Sequence, residues 1–221
     1  LFTGPSGTGK TTLARILARE VGCTDERDLI EVNCAGDRGI DSARAIDDKQ
    51  WAKPWGKARA WILDEFHQFT SEAQSLMLKV LEDDKSYWSY FFLCSTNPAK
   101  INKAIITRAS HFKLSEVQNG LLKSLLDKTC KSEKIVLTDL IKKELLEAAN
   151  GSPRKALVLL QQVIGLTETE QQQVIGRESQ ARKAFEIAKY LCWAPSPTKK
   201  GLAKILVDVD EEPEQIRQLI I

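Results

Sequence analysis

The stretch GPSGTGKT, which runs from Gly4 to Thr11, has residue types and spacing that could do chemistry. Glycines at three of its positions can turn backbone N–H groups inward and form a concave nest for an anion. Lys10 could reach the outer phosphates of a nucleotide, and the hydroxyl of Thr11 could ligate Mg²⁺. The alternative is a surface glycine turn before a helix. The pattern predicts a phosphate site made of Gly4, Pro5, Ser6, Gly7, Thr8, Gly9, Lys10, Thr11 and Thr12.

A second candidate site is the acidic pair in WILDEFHQF, where an apolar run ends at Asp64 and Glu65. Open α/β sheets bind ligands at the carboxyl ends of their strands, which is where these two carboxylates would lie. Asp64 would support Mg²⁺ through its water shell, and Glu65 would orient or deprotonate an attacking water. We expect His67 to be a packing or hydrogen-bonding neighbour, because nothing in the sequence places a partner beside it.

The elements that position these residues alternate between apolar runs and helical stretches. Strands are predicted at 29–35, 59–64, 90–96 and 112–114, with helices at 11–22, 41–52 and 71–84. This alternation predicts an α/β fold with a parallel sheet that carries helices on both faces. From about residue 115 the strand signals end and three helices follow. Helix starts are predicted at Thr138-Asp139 and Ser152-Pro153, and a stop at Asn150-Gly151.

Composition restricts the class of protein. The formal net charge is +2, which excludes a strongly basic nucleic-acid coat but leaves room for a local basic groove. There is no signal peptide and no apolar run of membrane length, so we expect no membrane partner. The five cysteines are far apart, and we expect buried free thiols. The chain starts without Met inside a predicted strand, and we expect it to be a piece of a longer protein.

Several segments, taken in order, resemble the AAA+ ATPase subunits of DNA sliding-clamp loaders. They are GPSGTGKTTLARILARE, IEVNCAGDRGIDSAR, ARAWILDEFHQFTSEAQSLMLKVLED, FFLCSTNPAKINKAIITRASHFKL and ANGSPRKALVLLQQ. The pattern is most similar to the bacterial DNA polymerase III gamma/tau subunit, with replication factor C small subunits next. The likeness covers roughly residues 1–165 and is specific in LMLKVLED, STNPAKI and GSPRKAL.

The resemblance implies four regions with separate roles. It implies a nucleotide-binding core at 1–114, a three-helix lid at 115–166, a linker at 167–179, and the start of a helical collar at 180–221. The cofactors would be ATP and Mg²⁺, with Thr11 and Asp64 at the metal. Bacterial relatives carry a four-cysteine zinc module for which this chain has no room between Cys23 and Cys34, so a phage-encoded or divergent loader is expected.

The resemblance also implies roles for residues outside the two motifs. Asn97 looks like the first sensor, with Thr96 as the alternative at that position, and Arg154 looks like the second sensor. Arg108 looks like an arginine finger that acts in trans, on the nucleotide of a neighbouring subunit. The chain departs from the family's Ser-Arg-Cys motif here, because Thr107 and Ala109 flank the arginine.

The partners implied are other subunits of a hetero-oligomeric ring, a sliding clamp, and the backbone of primer–template DNA. Two helix N-termini would contact the DNA phosphates, although simple helix capping explains the same residues. These residues are Arg38, Gly39, Ile40, Thr70 and Ser71. The implied location is the cytoplasm of a bacterial or phage-infected cell.

Three functions remain open at this point. The first is an ATPase subunit that opens a sliding clamp and places it on primer–template DNA during replication. The second is another ring-forming AAA+ motor, such as a Holliday-junction branch-migration helicase. The third is a clamp-loader scaffold that no longer hydrolyses ATP, against which the intact Lys10, Thr11, Asp64 and Glu65 argue.

Overall fold

The computed structural model describes residues 1–82 and 87–177 of the chain. Its strands are β1 (Phe2–Thr3), β2 (Leu29–Asn33), β3 (Arg59–Asp64), β4 (Ser89–Ser95) and β5 (Phe112–Lys113). Its α-helices include α1 (Lys10–Glu20), α2 (Ile40–Gln50), α3 (Ser71–Glu82), α4 (Lys103–Arg108), α5 (Asn119–Glu133), α6 (Asp139–Ala149) and α7 (Pro153–Val163). Residues 168–177 are also helical.

The five strands form one parallel sheet in the order β2-β3-β4-β1-β5. Strand β4 therefore lies between β1 and β3, with Phe2 opposite Cys94 on one side and Leu63 opposite Leu93 on the other. Because all strands run the same way, the carboxyl ends of β1, β3 and β4 meet at one edge of the sheet.

Strand β3 shows why helices cover both faces of this sheet. Successive side chains of a strand point to opposite faces. Trp61 and Leu63 pack in a core with residues of α2, α3 and α4, whereas Ile62 packs in a second cluster with Ala14 of α1. The predicted α/β fold with a parallel, helix-covered sheet is confirmed.

The described residues divide into two compact units, one made of residues 1–117 with 152–154 and the other of residues 118–151 with 155–177. In the second unit, Thr138 caps α6 by accepting a hydrogen bond from the N–H of Ile141, which confirms the predicted start. Asn150 adopts a left-handed conformation at the predicted stop, and α7 begins at Pro153 as expected.

Some predictions differ from the structure or lie outside the part that it describes. Helix α4 was not predicted, although Asn102 caps it by accepting from the N–H of Ala104. Most of the predicted linker at 167–179 is helical where it is described. The predicted collar at 180–221, Cys192 and the end of the helix predicted at 71–84 lie outside the described residues.

The other four cysteines are buried and free, as expected. Within 1–82 and 87–177, no helix has the length and apolar character needed to cross a bilayer.

A buried ion pair fixes the connection between α2 and β3. Asp28 is fully buried, and its Oδ1 accepts from the guanidinium of Arg59 at 3.2 Å while its Oδ2 accepts from the N–H of Gly56 at 2.7 Å. Arg59 also donates to the carbonyl oxygens of Lys49 and Ala52, at 3.0 and 2.8 Å. Together these bonds tie the segment before β3 and the end of α2 to Asp28 and to Arg59, the first residue of the strand that carries Asp64.

This pair predicts a large loss of stability on truncation. Arg59→Met leaves the buried carboxylate of Asp28 without its cation, so the free energy of unfolding should fall by about 3–5 kcal/mol. Arg15→Met is the matched control, because the Arg15–Glu31 pair has side-chain exposures of 52% and 37%. That control should cost no more than about 1 kcal/mol. Urea unfolding of both variants measures the difference, and equal losses would contradict it.

Candidate active site

The glycine-rich loop leaves β1 in a conformation that requires glycine. Gly4 has a φ of 150°, and its N–H donates to the carbonyl oxygen of Ser95 at the end of β4. A Cβ at Gly4 would collide with the carbonyl oxygen of Leu114, and a Cβ at Gly7 with the hydroxyl of Ser152. Gly9 has a φ of 93°, and no atom lies within 4 Å of the place where its Cβ would be. The loop is thus bonded to β4 at its first residue, Gly4, and has open space beside Gly9.

Lys10 begins α1 and turns its side chain back onto the loop. Its ammonium donates to the carbonyl oxygens of Gly4 and Pro5, at 3.0 and 2.8 Å. The helix N-cap, Gly9, supplies no side-chain acceptor, so no side chain occupies that cap. Burial of the ammonium lowers the pKa of Lys10, and the charge of Glu65 partly opposes that shift. A cation and uncapped helix amides therefore face the same loop, which suits a polyphosphate.

Thr11 and Asp64 join the loop to the acidic strand. The hydroxyl of Thr11 donates to Oδ2 of Asp64 at 3.0 Å, across 53 residues of sequence. A hydroxyl and a carboxylate oxygen side by side are hard oxygen ligands of the kind that Mg²⁺ takes. The two residues predicted at the metal are brought together, and their donor set fits that ion.

Glu65 follows Asp64 in a left-handed backbone conformation, with a φ of 51°. Non-glycine residues in this region are uncommon and occur often at functional sites. The N–H of Glu65 donates to Oδ1 of Asp64 at 3.0 Å, and its Oε2 accepts from the hydroxyl of Thr96 at 2.9 Å. One third of the side chain is exposed. The carboxylate is held by protein groups and still reaches solvent, as a group that acts on water must.

The residues predicted as sensors lie in two places. Thr96, the alternative for the first sensor, contacts Glu65 directly. Asn97 lies beside it, donates its backbone N–H to the hydroxyl of Ser95 at 3.1 Å, and does not use its side chain as a helix cap. Arg154 belongs to the same compact unit as the loop, and its charge contributes to lowering the pKa of Lys10, after burial.

Arg108 lies at the carboxyl end of α4 and does not join this cluster. Its guanidinium pairs with Glu82 at 2.8 Å, and 56% of the side chain is exposed. Thr107 beside it bonds back to the carbonyl oxygen of Ala104. An exposed arginine in an exposed ion pair can exchange its partner at low cost.

The residues predicted at the DNA backbone lie at two adjoining helix N-termini. The N–H of Thr70 donates to the carbonyl oxygen of Arg38 at 3.1 Å, which ties the segment before α3 to the segment before α2. Gly39 caps α2 without a side-chain bond, and Thr70 caps α3 by accepting from the N–H of Ala73. Ile40 and Ser71 are the first residues of the two helices.

The expectation that His67 is a packing or hydrogen-bonding neighbour is confirmed, but its partners and the bond from Thr96 to Glu65 were not predicted. His67 is 9% exposed, and its Nδ1 lies 3.2 Å from Oε2 of Glu65 and 3.1 Å from Oγ of Ser95. The sequence feature that could have indicated these contacts is the pair of hydroxyl residues, Ser95 and Thr96, at the end of an apolar strand. These two residues can reach Glu65 and His67 only because β4 pairs with β3, and the sequence alone does not predict that strand order.

Comparison with known proteins gives a family match over residues 1–118, to the model described as the ATPase family associated with various cellular activities (AAA). The chain is 28% identical over 187 residues to DNA polymerase III subunit gamma/tau of Mycobacterium tuberculosis, covering 74% of this chain and 32% of that protein. It is 31% identical over 188 residues to DNA polymerase III subunit tau of Bacillus subtilis, covering 76% and 33%.

The chain is also similar to a replication factor C subunit and to a solved structure. Replication factor C small subunit 1 of Pyrobaculum arsenaticum is 37% identical over 165 residues, covering 73% of this chain and 50% of that protein. The chain thus spans a third to a half of the length of these relatives. The Holliday junction branch migration motor RuvB of Thermotoga maritima has a TM-score of 0.58 at 18% identity, covering 93% of this chain and 60% of that one. The likeness to RuvB is one of fold.

Proposed function

Because the chain belongs to the AAA family of ATPases, we propose that it is the ATP-hydrolysing subunit of a clamp loader, which places a sliding clamp on primer–template DNA. The observation that carries the ATPase part is the bond from Thr11 to Asp64, since it joins the phosphate loop to the acidic pair. The clamp-loader part is supported by relatives named as DNA polymerase III gamma/tau and replication factor C subunits.

Binding of ATP would exchange partners within the loop. The ammonium of Lys10 would leave the carbonyl oxygens of Gly4 and Pro5 for the outer phosphates, and the first amides of α1 would face the same charge. Thr11 and Asp64 would hold Mg²⁺, which when bound neutralises charge on the phosphates.

Hydrolysis would depend on Glu65. Its carboxylate would orient a water and take its proton as the water attacks the terminal phosphorus, while the bond from that phosphorus to the bridging oxygen breaks and ADP leaves. Thr96, which already contacts Glu65, or the neighbouring Asn97 would sense the terminal phosphate, and Arg154 would stabilise its charge. Arg108 would act on the nucleotide of a neighbouring subunit, and its exposed position on α4 suits that role.

DNA would be held through its backbone. The adjoining N-termini of α2 and α3 present exposed residues, Arg38, Gly39, Thr70 and Ser71, with Ile40 half-buried between them. Backbone amides at helix N-termini suit phosphates without reading base sequence. This agrees with a protein that must load a clamp at any primer end.

The function is tested by turnover in the assembled complex. ATP hydrolysis should rise when the clamp and primer–template DNA are both added. When the complex binds both of them, the interfaces between its subunits, where ATP would be hydrolysed, would be complete. Flat turnover on adding both would reject the clamp-loader role. Branch migration or strand separation by this chain alone would instead favour a motor such as RuvB.

Two substitutions separate binding from chemistry. Lys10→Ala should weaken nucleotide binding, because it removes the cation of the loop. Glu65→Gln should retain binding and slow hydrolysis by about 10²–10⁴-fold, because it removes a general base. Isothermal titration with a non-hydrolysable analogue and single-turnover hydrolysis measure the two effects. Lys53→Ala, an exposed lysine before β3, is the control and should change neither quantity.

Arg108→Ala should leave nucleotide binding nearly unchanged and slow hydrolysis by about 10³-fold or more, because the arginine would serve the adjacent site. Arg27→Ala is a matched control, since Arg27 is also exposed and paired, here with Asp25. Complexes that mix Arg108→Ala and Lys10→Ala subunits should regain activity at some interfaces. At these interfaces the Arg108→Ala subunit supplies an intact phosphate loop and the Lys10→Ala subunit supplies an intact Arg108. Absence of complementation would place the effect of Arg108 within its own subunit.

A further inference from the structure

His67 is a buried titratable group that the proposed reaction does not yet use. It lies three residues after Asp64, in the short 3-10 turn Phe66–Gln68 that follows β3. Its Nδ1 lies 3.2 Å from Oε2 of Glu65 and 3.1 Å from Oγ of Ser95. Its Nε2 lies 3.1 Å from Nε2 of Gln68. Both ring nitrogens therefore have protein neighbours.

The contacts with Gln68 and Glu65 favour a proton on Nδ1 of His67. In this orientation of the Gln68 amide its nitrogen faces Nε2 of His67 and can only donate, so Nε2 accepts and carries no proton. The carboxylate of Glu65 can only accept, so Nδ1 must carry the proton that faces it. These two contacts favour the neutral tautomer with the proton on Nδ1. Burial lowers the pKa of His67, which agrees with a neutral ring.

Ser95 supports the same arrangement from β4. It is fully buried, and its Oγ accepts the backbone N–H of Asn97 at 3.1 Å. Nδ1 of His67 is 3.1 Å from this hydroxyl and 3.2 Å from Oε2 of Glu65, so a proton on Nδ1 would face both oxygens. Oε2 of Glu65 then receives two donors, His67 and Thr96, from two different elements.

We propose that His67 is a positioning residue, which as the Nδ1-protonated tautomer holds Glu65 through Oε2 and so aims its carboxylate at the attacking water. This inference rests on the proposed role of Glu65 in hydrolysis. Glu65 has a left-handed backbone, and two donors on one oxygen restrict rotation of the carboxylate. Small displacements of a reacting group slow a reaction strongly, so the effect belongs in kcat rather than in nucleotide binding.

The tautomer can be read without any ATPase activity. The chain has only two histidines, His67 and His111, so His111→Gln leaves a single imidazole in the spectrum. Long-range ¹⁵N–¹H correlation of that variant at about pH 7.5, above the ordinary histidine pKa, should show the proton on Nδ1 and a bare Nε2. A proton on Nε2 would overturn the inference, because Nδ1 could then donate nothing to Glu65.

Three substitutions at one position test the role in catalysis. His67→Leu removes the donor, and kcat should fall by about 10-fold or more while KM for ATP stays within about 2-fold. His67→Asn places an amide nitrogen close to the position of Nδ1, and kcat should return to within about 3-fold of the wild type. His67→Gln carries the same amide one bond further out and should remain as slow as His67→Leu.

A double-mutant cycle separates this role from general stability. If His67 acts through Glu65, the effect of His67→Leu should disappear in a Glu65→Gln background. Equal losses in both backgrounds, or unchanged kcat in all three His67 variants, would overturn the inference. If the wild-type chain hydrolyses no ATP, the proposed function fails, and the imidazole spectrum still decides whether His67 donates to Glu65.

Discussion

Strand β4 lies between β1 and β3, and this placement decides which side chains meet at the site. β1 delivers the phosphate loop and β3 delivers the acidic pair, so the carboxyl end of β4 fills the space between them. The carbonyl oxygen of Ser95 anchors Gly4, and the hydroxyl of Thr96 bonds to Glu65. Parallel pairing of all three strands is what brings these ends to one edge. A sheet with β4 elsewhere would separate the loop from its acidic partners.

The polar groups of the site form hydrogen bonds to one another. Lys10 bonds to the carbonyl oxygens of the loop, Thr11 bonds to Asp64, and Thr96 bonds to Glu65. Buried polar groups that lack partners are costly, so this pairing stabilises the arrangement of the site. In the proposed function, a nucleotide would compete with these internal bonds, and its phosphates would replace the carbonyl oxygens as acceptors for Lys10. The bond from Thr11 to Asp64 holds the loop beside the acidic strand.

The sequence was sufficient for features that are local and insufficient for those that depend on strand order. The phosphate loop is a contiguous motif, and the run before Asp64 is apolar because β3 is buried on both faces, so both could be recognised. The neighbours of His67 could not, since the contact with Ser95 spans 28 residues and requires β3 to pair with β4. Helix α4 has a capping asparagine, Asn102, but its six residues are too few for a periodic pattern to indicate.

The central claim is that the loop from Gly4 to Thr11 grips the phosphates of ATP and that Lys10 changes partners to do so. A crystal structure with Mg²⁺ and a non-hydrolysable ATP analogue tests this most directly. We expect the terminal phosphate beside the ammonium of Lys10, with that ammonium no longer bonded to the carbonyl oxygens of Gly4 and Pro5. An analogue bound elsewhere, with Lys10 still on those two carbonyl oxygens, would contradict it.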